Sequence, residues 1–121
     1  MALAQFPVPA QVPARDRALD IASFARGIAG TVIRPADPAY DDARRVHDLG
    51  FDKRPMLIVQ AVDPADVART VVAAREHGLE LAVRSGSHSL AGHGTSDGGI
   101  VLDLGALKGL HIDPERRRAW V

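Results

Sequence analysis

"MLIVQAVDPADVARTVVAAREHGLELAV", residues 56–83, is the stretch on which the fold turns. Its first seven residues, 56–62, form a continuous apolar run rich in β-branched side chains, as a strand buried on both faces does. The run stops at Asp63-Pro64, where Asp is a good N-cap and the fixed φ of Pro suits the first helical position. Val67, Val71 and Ala74 then recur at helical spacing and predict one buried stripe, and Gly78 supplies the left-handed residue that closes a helix. "LELAV", residues 79–83, is a second strand. Strand, helix and strand in this order predict parallel strands joined by a right-handed crossover.

The next segment runs "VRSGSHSLAGHG" over residues 83–94 and cannot be a packed helix, because Gly costs roughly 1 kcal/mol against Ala inside a helix and Ser competes for backbone hydrogen bonds. It leaves the carboxyl end of a strand, where α/β units gather their ligands. Successive amides in a Gly-rich turn can cradle a phosphate, and Gly86, Gly92 and Gly94 would admit a ligand where a Cβ would obstruct it. Ser85, Ser87 and Ser89 add hydroxyls. Composition alone favours a flexible connector, and neither the P-loop pattern nor the full dinucleotide fingerprint is present. His88 and His93, with Asp97, could be metal ligands, but a separation of five suits no helical face and zinc is not the first choice. A histidine here also offers a nucleophilic ring nitrogen to a bound cofactor.

Outward from this centre, "GGIVLDL" (98–104) reads as a further buried strand, and "DPERRR" as a turn into a last strand with Trp120 packing inward. Asp103 fits a buried carboxylate or a solvent face equally well. The ending "RRRAWV" alternates like a strand and stops without a turn, so the chain reads as cut there. Upstream, residues 1–14 are Pro- and Ala-rich and read as a disordered arm, and 15–53 as a helical lead-in. The lead-in holds one helix from Asp16 through Ile28, the short strand "TVIRP" (31–35) and a second helix within 37–50. His47, His77 and His111 read as surface or strand-end side chains, and Arg116, Arg117 and Arg118 as a solvated edge.

The 121 residues suffice for one domain, and 15 basic against 15 acidic residues leave no net field to draw nucleic acid or anionic lipid. The chain has no cysteine, which removes disulfides and thiolate metal sites. Its opening has neither a basic start nor an unbroken apolar run, so a cytoplasmic address without membrane or nucleic-acid partners is expected.

Several features in order carry a family resemblance: "DKRP" before the first buried strand, the Asp-Pro helix, "VRSGSHS", "DGGIVLDL" and "HIDPERR". Together they resemble the first half of the PCMH-type FAD-binding domain of the vanillyl-alcohol oxidase and p-cresol methylhydroxylase superfamily, nearest its berberine-bridge-enzyme-like group. The resemblance implies an α+β fold containing an α/β unit, with a partial FAD-binding domain over 54–121. It implies that Arg84, Ser85, Gly86, Ser87, His88 and Ser89, with Gly92, hold FAD, and that His88 is joined to the flavin 8α carbon. The reaction implied is oxidation of a small alcohol, amine or sugar, with hydride passed to flavin N5 and often oxygen as acceptor. Ser87 stands where the family usually has Gly, and His47 and Asp48 replace an aromatic and amide pair. The only tyrosine, Tyr40, matches no catalytic position, so substrate chemistry would need residues beyond this chain. A stand-alone nucleotide-binding module and an inactive fragment, whose buried strands would lack neighbours, are the alternatives.

Overall fold

The computed structural model describes residues 18–121, so the arm expected at 1–14 and the start of the first helix at Asp16 lie outside the described residues. Helix α1 spans Ile21–Arg26, with Asp20 as N-cap accepting the Ser23 amide at 3.1 Å. Strand β1 follows at Thr31–Ile33, then the single-turn helix α2 at Tyr40–Ala43, strand β2 at Leu57–Gln60 and helix α3 at Pro64–Glu76. Strands β3 (Leu81–Arg84) and β4 (Ile100–Asp103) complete the main sheet, and β5 (His111–Asp113) pairs with β6 (Arg118–Trp120) as a separate hairpin. The second lead-in helix is thus only four residues long, because the chain leaves the helix after Arg44 to run along the sheet toward residue 55.

The sheet order is β1-β2-β4-β3: β2, β4 and β3 are parallel, and β1 is antiparallel on one edge. The strands flanking α3 are therefore parallel but not neighbours, since β4 lies between them. Both apolar runs, β2 and β4, are interior strands paired on each side, so neither is an exposed edge.

Alternation along these strands divides the core into two layers. Leu57, Val59, Ile100 and Leu102 pack with Ala74 of α3 and Ile28, whereas Ile58, Val101 and Ala82 pack with Ile33 and Tyr40. Burial on both faces is what their unbroken apolar sequences required. The Tyr40 hydroxyl donates to the Pro55 carbonyl at 2.7 Å, which pins the lead-in across the second face. Burial pushes its phenol pKa up, against the pull of Arg44 and Arg54. Arg44 bonds Asp41 at 2.8 Å and also Asp52, closing the lead-in on itself, and these bonds hold both carboxyls low.

Helix α3 begins as its sequence demands: Asp63 caps the Asp66 amide at 2.8 Å, a contact typically worth about 1 kcal/mol. It ends through Gly78 at φ 62°. Its buried face keeps Val67 and Ala74 of the expected stripe against the core but not Val71. Val71 is 44% exposed, while Asp66, Thr70, Ala73 and Ala74 turn inward. Polar residues are tolerated there because each is satisfied: Thr70 Oγ1 donates to the Asp66 carbonyl at 2.7 Å. The Asp66 carboxylate accepts the amides of Ala29 at 2.8 Å, Gly30 at 2.9 Å and Val62 at 3.1 Å. Trp120 also departs from expectation, being 52% exposed and resting its ring 5.3 Å from that of His111 within the hairpin. A two-stranded hairpin has no second layer in which to bury a ring.

Asp66 makes stability pH-dependent. Burial alone would raise its pKa, but the amides of Ala29, Val62 and Gly30 outweigh this and hold the carboxyl below its ordinary value. A group depressed on folding contributes its stabilisation above the unfolded pKa, near 4, and loses it as pH falls through the folded value. Urea unfolding should therefore show Asp66→Asn less stable than the parent at pH 7, by about 2 kcal/mol, with the gap narrowing below about pH 4. A gap constant down to pH 2 would contradict the assignment.

Candidate functional site

The register aligns Gln60, Asp103 and Arg84 at the carboxyl edge of the three parallel strands. From this edge the loop 85–99 departs, and Arg84 fixes its root. Only 7% of this residue is exposed, and each nitrogen of its guanidinium is engaged: Nε donates to Asp103 Oδ2 at 3.0 Å, Nη1 to the Arg45 carbonyl at 3.2 Å and Nη2 to the Ala43 carbonyl. The Arg84 side chain thus ties β4 and the lead-in to the loop root, and what it presents toward the loop is backbone. Asp103 Oδ1 meanwhile accepts the Gly105 amide at 2.8 Å, so this half-buried carboxylate is committed to partners within the protein.

Beyond Arg84 the chain turns through Ser87, which adopts φ 59°. Left-handed backbone costs a residue with a Cβ roughly 1–2 kcal/mol, which explains why Gly would be at ease there. Ser89 starts the next turn, its carbonyl accepting the Gly92 amide at 3.2 Å and its hydroxyl the His93 amide at 3.2 Å. Gly92 is required twice over. Its φ is +72°, and a Cβ would stand 2.6 Å from the Phe51 ring. Phe51 and His47 are lead-in residues that pattern reading left out of the site, and the His47 amide donates to the Ser87 carbonyl at 3.1 Å.

A cavity of about 260 Å³ opens here, lined by Arg84, Ser85, Gly86, Ser87, His88 and Ser89 together with Val83 and Gly94. No carboxylate lines it, and its two ionisable side chains, Arg84 and His88, can carry only positive charge. Among the described residues, the hydrogen bonds that shape residues 85–89 are accepted by this run and donated from His47, Gly92 and His93. Successive backbone amides in such a run can form an anion-binding nest. His88 is exposed, with its Cδ2–Nε2 edge over Gly86, where an added Cβ would approach Cδ2 to 2.7 Å. Six of the seven predicted residues are thereby gathered at one cavity, and Gly92 stands behind it as a support against Phe51.

His93 and Asp97 are not part of this cluster: Asp97 accepts the Arg54 amide at 2.8 Å, and among the described residues no three His, Asp or Glu side chains converge as a metal site would. A larger groove of about 700 Å³ lies between α1 and α3, floored by Leu19, Phe24, Val72 and Ala73. Its rim carries both charge signs, with Asp20 and Glu76 beside Arg69, and it contains none of the loop. No helix among the described residues is long and apolar enough to cross a membrane.

The strain at Ser87 and the crowding at Gly92 have opposite signs. Ser87→Gly should raise stability by about 1 kcal/mol, or several degrees in thermal midpoint, whereas Gly92→Ala should lower it by more than that. Thermal unfolding followed by circular dichroism checks both, and a destabilised Ser87→Gly would show that the loop does not hold this conformation.

Comparison with known proteins places the chain in a family. The sequence pattern of the family described as FAD binding domain matches residues 55–121. (R)-6-hydroxynicotine oxidase of Paenarthrobacter nicotinovorans is 44% identical over 94 residues, which are 78% of this chain and 20% of that protein. Tetrahydroberberine oxidase of Berberis wilsoniae is 36% identical over 70 residues, 56% of this chain and 13% of that one. Among solved structures, 6-hydroxy-D-nicotine oxidase from Arthrobacter nicotinovorans superposes with a TM-score of 0.73 at 43% identity, covering 76% of this chain and 20% of that one. The berberine-bridge-enzyme-like protein 1 of Physcomitrella patens does so with a TM-score of 0.72 at 26% identity, over 79% and 21%. The chain thus spans about a fifth of the length of these relatives or less. With a PCMH-type sheet, a Gly/Ser loop at its carboxyl edge and a matched family pattern over more than half its length, this chain belongs to the FAD binding domain family of FAD-linked oxidoreductases.

Proposed function

We propose that this chain is the cofactor-holding part of an FAD-dependent oxidase acting on a small alcohol, amine or sugar, with the flavin tethered through His88. The observation that carries the reading is the cavity at the carboxyl edge: a Gly/Ser lining, no carboxylate, and an exposed imidazole among the lining residues. That chemistry fits a pyrophosphate joined to a ring system that an imidazole nitrogen can reach. FAD would supply the two-electron acceptor, taking hydride from the substrate.

The roles of the chain's own residues follow from their positions. The amides of Ser85 to Ser89 and their hydroxyls would bind the pyrophosphate oxygens. Gly86 leaves room beneath His88, since any side chain there would collide with the imidazole. Arg84 acts at one remove, its buried guanidinium holding the loop root against Asp103 and the lead-in carbonyls. The residues that bind substrate and move its proton lie outside the described loop. The kinship with oxidases named for amine substrates supports amine oxidation within the proposed class.

The test is a covalent-flavin assay on the chain produced together with any sequence that follows Val121 in its gene, expressed with ample riboflavin. After denaturation, intact mass and in-gel fluorescence should show a flavin adduct on the peptide containing His88. His88→Ala should lose the adduct yet keep FAD that denaturation releases. Flavin that stays covalently attached in His88→Ala would overturn the tether assignment, and absence of any flavin from the parent protein would overturn the function.

A further inference from the structure

His47 reads from sequence as a surface histidine, and its ring is indeed exposed, yet it is not idle. Its ring centroid lies 4.8 Å from that of His88, with the planes tilted by 52°. This is within the range of tilted ring contacts. We propose that His47 is the positioning residue for His88, its ring holding the His88 imidazole over the cavity; the proposal rests on the tether reading given above.

An exposed histidine between two serines should otherwise sample several rotamers, and only those that place a ring nitrogen at the cavity are productive. Two neighbours narrow that choice: Gly86, where an added Cβ would stand 2.7 Å from Cδ2, and the His47 ring. The second is useful only if His47 is itself fixed. Its backbone is, because its amide donates to the Ser87 carbonyl at 3.1 Å, Val46 before it is buried, and the Arg45 carbonyl receives the Arg84 guanidinium at 3.2 Å. The lead-in therefore supplies a ring held from behind by the same arginine that anchors the loop. Joining a His88 nitrogen to the flavin 8α carbon breaks a ring N–H and a methyl C–H bond. Both protons pass to solvent, and the electron pair passes to the flavin and then to oxygen. His47 takes no part in that exchange and contributes only the ring's placement, so what matters at position 47 is a flat ring rather than a basic nitrogen.

The experiment compares parent, His47→Ala and His47→Phe, each produced with any sequence following Val121. Flavin-free protein is supplied with FAD, and attachment to the His88 peptide is followed by mass. Loss of the ring should slow attachment roughly two- to tenfold, the cost of leaving one side chain unfixed, while Phe should keep it within about twofold of the parent. Parent-like attachment in His47→Ala would overturn the proposal. So would a His47→Phe variant as slow as His47→Ala, which would point to proton transfer by the imidazole instead. In flavin-free protein with 13C-labelled histidine, a nuclear Overhauser effect between the two rings is expected in the parent, and its absence would overturn the positioning claim on its own. If the parent gains no flavin at His88, the functional reading fails, and the ring-to-ring effect still decides whether His47 holds His88.

Discussion

A guanidinium withdrawn from water must find its acceptors inside the protein, and the site depends on how Arg84 does so. Placed as the last residue of an edge strand, it bonds a carboxylate on the neighbouring strand and two carbonyls of the lead-in. One side chain therefore fixes three things together: the end of β3 against β4, the lead-in against the second sheet face, and the root of the loop. A lysine could not replace it, because a single ammonium cannot spread across acceptors in three directions as a planar fork can.

The cavity follows from that arrangement. With the root fixed, Ser87 is driven into left-handed backbone, Gly92 backs onto Phe51, and His47 reaches the loop to meet Ser87 and His88. The short segment before β2 is thus part of the site rather than an entry to it. Asp66 plays the corresponding part on the opposite layer, gathering the amides of Ala29, Gly30 and Val62 and so joining β1, α3 and the end of β2. Both residues are charged groups that bury themselves by collecting backbone partners from distant segments.

That common feature explains what was legible in the sequence. The β2–α3 unit, its Asp63 cap and its Gly78 ending could be read because each depends on neighbours within a few residues. The loop, too, was legible as an irregular segment leaving a strand end, from its Gly and Ser content, and a cavity opens there. The polar part of the inward face of α3 was not, because Asp66 turns in by virtue of the Ala29 and Gly30 amides, which lie far along the chain. Nor was His47, whose partner His88 is forty-one residues away in the sequence numbering and adjacent only in space. Asp103 was ambiguous for the same reason: its inward turn is decided by Arg84 across the strand pair.

The central claim is that the cavity at residues 85–89, and not the larger groove between α1 and α3, holds the dinucleotide. Titration of 15N-labelled protein with ADP, which carries the pyrophosphate without the flavin, tests it most directly. The account predicts saturable shifts concentrated at the amides of Ser85 to Ser89 and at His47. Shifts concentrated at Phe24, Val72 and Ala73, with the loop amides unmoved, would contradict it.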